Sequence, residues 1–115
     1  MGLATLNGTL TYIEADGEEK VECMSGAVAF DLRSECDVES ASADTFSVPF
    51  GSIVTANVIV IEQLLGTSEV LLDGEVAGHT ELVDGTMCFF NCGCTQLDLK
   101  HADTIKAKVL ILGNL

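Results

Sequence analysis

The chain has 115 residues, with 18 acidic side chains against 5 basic ones, for a formal charge of −13. So anionic a field repels phosphate backbones and acidic lipid, which argues against nucleic acid and against membranes as partners. At this length one domain with one core is expected over residues 1–115, with no room for a separate catalytic lobe.

Along the chain, Ala4–Glu14 predicts a first strand. Leu6, Gly8, Leu10 and Tyr12 lie on one face of it, and Asn7, Thr9, Thr11 and Ile13 on the other. Asp16-Gly17-Glu18-Glu19 turns the chain, and Val21–Leu32 resumes it, interrupted at Ser25-Gly26 by an expected bulge or tight turn. Arg33–Thr45 is small and charged apart from Cys36 and Val38, and reads as the longest loop. Phe46-Ser47-Val48-Pro49-Phe50-Gly51 reads as a short edge strand or arm, because Pro49 cannot donate to a ladder. Phe46, Val48, Pro49 and Phe50 are therefore the expected interface residues, and the Arg33–Thr45 loop is a second segment that could reach a neighbour.

Ile53–Leu64 is the strongest strand signal, with Val and Ile on both faces, so both faces should be covered. Leu65-Gly66-Thr67-Ser68 is expected to turn it back into Glu69–Leu72 as a hairpin. Asp73-Gly74 and Asp84-Gly85 read as further turns, with Glu75–Val83 irregular between them. Thr86–Phe90 and Thr95–His101 are expected as short strands around a cysteine-bearing corner. In Thr104–Leu112, Ile105, Ala107, Val109 and Ile111 share one face, with Lys106 and Lys108 opposite. These lysines either pair with acidic faces or form a solvated edge. About eight short strands with regular turn signals predict an all-β fold, an antiparallel β-sandwich or jelly roll.

Glycine plus Ala, Val, Ile, Leu, Met, Phe and Cys make up 65 of the 115 residues, above the roughly 45–50 % of ordinary domains. A domain this small cannot bury such an excess alone, so a homo-oligomer is expected. Met1-Gly2-Leu3-Ala4-Thr5 lacks a basic start and an apolar run, and no long apolar stretch follows. Folding in a cytoplasm is the expectation, and the odd number of cysteines (Cys23, Cys36, Cys88, Cys92, Cys94) fits reduced thiols there.

The segment Met87-Cys88-Phe89-Phe90-Asn91-Cys92-Gly93-Cys94 is the densest chemical feature. If extended, it would put Cys88, Cys92 and Cys94 on one face. With His101 or His79 they could hold zinc, but the second C-x₂₋₄-C pair of structural zinc sites is missing, and inert thiols are the expectation. A disulfide would more readily use Cys23 or Cys36 than neighbours on one strand face. Ser68, His79 and Asp84 would assemble a triad only by contrivance, and no G-x-S-x-G elbow is present. Calcium would fit best near Asp37, Glu39 and Asp44, without the alternating acids that such loops carry. No catalytic residue, metal or cofactor is expected.

The run Val48-Pro49-Phe50-Gly51-Ser52-Ile53-Val54-Thr55-Ala56-Asn57-Val58-Ile59-Val60, then Gly66 to Val83, then Ala102 to Gly113 resembles small virion structural proteins of tailed bacteriophages. It covers roughly the last 65 residues, and the match is in patterns of residue type. The resemblance implies a sandwich or jelly-roll capsid decoration (cement) or tail accessory protein, often trimeric. Its partners would be other virion proteins such as a major capsid protein, and its location the virion, assembled in the host cytoplasm. Two functional classes stay open: a non-enzymatic structural subunit of that kind, and a small β-sandwich binding module for a metal or protein ligand.

Overall fold

The computed structural model describes residues 2–41, 44–73 and 81–115. Eight strands follow in order: β1 (Gly2–Ile13), β2 (Glu19–Phe30), β3 (Leu32–Ser40), β4 (Asp44–Ser47), β5 (Thr55–Leu72), β6 (Glu81–Cys94), β7 (Leu97–His101) and β8 (Ile105–Asn114). All pairings are antiparallel and no helix occurs among the described residues. The expected all-β, β-sandwich type of fold is what the chain adopts.

Strand β5 organises the body. One edge of it pairs with β8 over Thr55–Leu65 and then with β7 over Glu69–Leu72, while β6 follows the other edge. The six-stranded sheet runs β3-β8-β5-β7-β4 with β6 attached to β5, and it curls so that its halves share one core. Ile59, Ile61, Leu97, Leu99, Ile105 and Ile111 are fully buried there, each contributing about 1.5–3 kcal/mol over an exposed side chain. In β8 the period of two is as the sequence predicts: Ile105, Ala107, Val109 and Ile111 face in, Lys106 and Lys108 face out.

The expected Leu65–Ser68 hairpin turn is instead a bend inside β5. Gly66 has φ +77°, and the ladders to β6 and β8 both shift register beside it. A Cβ placed there would run into the Thr104 carbonyl and Ile105, so the glycine marks a bulge and a close backbone approach. Asp84-Gly85 is likewise no turn but part of β6, with Gly85 opposite Gln63. Of the expected irregular stretch, 75–80 lie outside the described residues and 81–83 belong to β6.

Arg33–Thr45 is not a loop over most of its length, because β3 pairs with β8 from Leu32 to Ser40. Leu32, Ser34, Cys36 and Val38 point towards the core, while Arg33, Glu35, Asp37 and Glu39 are exposed. The strand hides behind inward residues too small to look hydrophobic. Ser25-Gly26 produces neither bulge nor turn, since β1 and β2 stay in unbroken register from Gly2↔Phe30 to Ile13↔Glu19. The Asp16-Gly17 turn forms as expected: Gly17 N–H donates to the Glu14 carbonyl, Glu14 N–H to Glu18, and Gly17 has φ +86°. That is the three-residue hairpin loop with a glycine bulge.

Replacing Gly66 by alanine should destabilise the fold by about 2–4 kcal/mol, from left-handed strain plus overlap with Thr104. Gly8→Ala enters open space and should stay within about 0.5 kcal/mol of wild type. Urea unfolding of both variants checks the contrast.

Candidate interaction surface

The expected interface residues sit on the body's own core. Val48 is buried in it, Phe46 and Phe50 pack against it, and Pro49 is exposed. Phe46 lies in β4 opposite Leu99, and Val48 N–H donates to the Leu97 carbonyl, so this edge segment is held against β7. The apolar atoms of Phe46, Val48 and Phe50 are thus engaged within the protomer.

Among the described residues, most of the exposed large apolar side chains lie on the β1–β2 hairpin. Its base is anchored: Asp31 N–H donates to the Gly113 carbonyl and to Asn114 Oδ1, and Asn57 Nδ2 donates to the Ala29 carbonyl. Gly26 lies against the Phe90 ring, which would meet any Cβ there. On this face Leu6, Val28 and Phe30 are half-buried, but Leu10, Tyr12 and Met24 further along are exposed. The other face exposes Leu3 (67 %), Ile13 (72 %) and Val21 (60 %). Two strands alone are marginally stable in water, so a hairpin of this length needs cover on more than its base. Sequence reasoning missed this surface although a signal existed: Gly2–Ile13 has no charged residue in a chain of −13.

The cysteines are not gathered on one face. Cys88 sits opposite Val60 on the outer side of β6 and is exposed, whereas Cys92 and Cys94 turn into the core. The cause is a wide bulge between Phe90 and Cys94, where Asn91 (φ 58°) and Gly93 (φ 61°) are left-handed and the alternation resets. Cys92 and Cys94 Sγ are 3.5 Å apart, and Cys92 Sγ–H lies 3.3 Å from the Ala56 carbonyl. Burial, reinforced by the Cys92 contact, pushes the Cys94 thiol up to about 12. Burial also raises Cys88 and Cys36. All five cysteines are free, and with Cys88 outside and Cys92 and Cys94 inside, the three do not converge on one point.

His101 is buried on β7 with Nδ1 2.8 Å from the Asp103 carbonyl, while His79 lies outside the described residues. Ser68 is fully buried at the β5 bend, so it offers no exposed nucleophile. Gln63 Oε1, Ser68 Oγ and His101 Nε2 are buried without a hydrogen-bond partner among the described residues.

Asp37 and Glu39 lie on β3 beside Lys108 and Lys106, with Lys106 Nζ 3.8 Å from Glu39. Glu62 on β5 flanks Lys108 from the other side. Lys106 thus pairs with Glu39, and Lys108 lies in register between Asp37 and Glu62 of the neighbouring strands. Glu35, Asp37, Val60, Glu62, Lys108 and Leu110 line a shallow, open concavity on this face. The acids that do cluster are Glu14, Asp16 and Glu18 at the hairpin tip. They are fully exposed, and Asp16 Oδ1 already accepts from Glu18 N–H.

Comparison with family models, curated proteins and solved structures gives no match.

Asp73 accepts the Thr95 backbone N–H at 2.6 Å and the Thr95 hydroxyl at 3.2 Å, and the backbone bond above all holds its carboxyl below the usual value. A lowered folded-state value gives stability that is fully present above the ordinary carboxylate range and is lost as pH falls from there through the lowered value. Asp73→Asn should therefore melt below wild type at pH 7, with the gap closing below about pH 4; thermal melts across pH 3–7 measure it. A thiol reagent at pH 8 should label exposed Cys23 and Cys88 in the native protein, and Cys94 only after guanidinium unfolding.

Proposed function

We propose that this chain is a non-enzymatic structural subunit that works by assembling with copies of itself. The observation that carries the reading is the β1–β2 hairpin, which places Leu3, Leu10, Tyr12, Ile13, Val21 and Met24 in solvent around a base fixed to the body. Apolar side chains on both faces of a two-stranded element are what an intersubunit arm needs and what a lone protomer cannot shelter. The body exposes Val54, Leu64 and Leu65 besides, which adds to the same excess.

The side chains that could have served chemistry are engaged otherwise: His101 is buried and bonded to Asp103, Ser68 is enclosed, and Cys94 is a protonated core thiol. The setting we propose is a virion, as a capsid-decoration or tail accessory subunit of a tailed bacteriophage stabilising the particle through apolar contacts. The resemblance of residues 48–113 to such proteins supports that setting.

Light scattering after size exclusion should give wild type a mass that is a multiple of 12.1 kDa. Leu10→Ser combined with Tyr12→Ser, both at the exposed end of the hairpin, should lower that mass and leave the melting temperature of the body within about 2 °C. A wild type of one chain mass at every concentration would remove the reading.

A further inference from the structure

We propose that β1 joins two copies of this chain edge to edge, antiparallel about a two-fold axis, so that two hairpins make one four-stranded sheet. This rests on the assembly reading above and names the surface that performs it. Among the described residues β1 pairs only with β2, so its other edge meets no strand there. Glu14 N–H donates across to Glu18. Counting back from that bond in steps of two, the even residues of β1 direct their N–H groups at β2. Leu3, Thr5, Asn7, Thr9, Thr11 and Ile13 then direct theirs outward, a row of backbone groups set for another strand.

Edges are normally blunted by charge, proline or bulges, and the other free edges here are. β2 carries Glu19, Lys20 and Glu22 and is tied to Asn57 through its Ala29 carbonyl; β3 carries Arg33, Glu35, Asp37 and Glu39; β4 runs into Pro49; β6 is broken by the left-handed Asn91 and Gly93. β1 has none of these: 12 residues in unbroken register, without proline or charge. Charge then selects the occupant. Two chains of −13 repel one another, and β1 is the edge at which neither copy sets a carboxylate on the joining strand opposite its equal. An antiparallel edge is complementary to itself about a two-fold axis, so a second copy fits without a different receiving strand.

The test compares masses of wild type, Thr9→Pro, Thr9→Lys and Thr9→Val by light scattering over a range of concentrations. Proline at Thr9 removes an outward N–H and leaves the β1–β2 ladder intact, whereas lysine keeps the N–H and places charge on the edge. Wild type and Thr9→Val should show an even number of chain masses, and Thr9→Pro and Thr9→Lys half that mass, with the same far-ultraviolet circular dichroism. Should the proline variant unfold, Thr9→Lys decides. Wild-type mass retained in both variants, a three-chain mass, or open-ended growth would overturn the β1 pairing and leave the assembly reading standing. A monomeric wild type would overturn both.

Discussion

The body of this protein depends on one strand serving two neighbours along the same edge. β5 gives its first part to β8 and its last to β7, and it can do so only by bending at Gly66. The left-handed φ there, with Thr104 pressed against the glycine, lets the β7–β8 connection cross the strand closely. From that bend follow the curl of the sheet, the facing of β8 and β7 across one core, and the burial of Ile59, Ile61, Leu97 and Leu99.

Outside that core the molecule is organised by charge. Acids on β3 and β5 flank Lys106 and Lys108, which keeps the outer face of the body solvated and internally paired. Acids also gather at the hairpin turn, while the strand leading into it has none. Like charge disfavours contact between two copies wherever acids face one another, and β1 is a regular strand that carries none. The exposed side chains of the hairpin add apolar area at the same place.

Cys94 lies in the core and Cys92 packs against it. The left-handed Asn91 and Gly93 separate Cys88 from Cys92 and Cys94, so a cluster that is dense in sequence is divided between two faces. Desolvation then keeps Cys94 protonated, and a protonated buried thiol behaves as a small apolar side chain.

Much of the fold was legible from local pattern, because strand alternation and hairpin glycines are local physics. The inward row Ile105, Ala107, Val109 and Ile111, the Asp16-Gly17 turn and the edge position of Phe46 to Ser47 all follow from period two and turn chemistry. Local pattern failed where one residue type has two uses. Gly66 and Gly85 had the marks of turns, yet neighbouring strands carry β5 and β6 straight past them. Arg33 to Ser40 lacked large apolar residues, yet β8 recruits it as an edge. The exposed hairpin was half visible: composition by itself determined that this acidic chain is unusually rich in apolar residues for its length. Only the tertiary structure decided that Phe46, Val48 and Phe50 belong to that core and that the hairpin stands out from it, because burial depends on which strands share an edge, and that is settled by pairing between residues far apart in the chain.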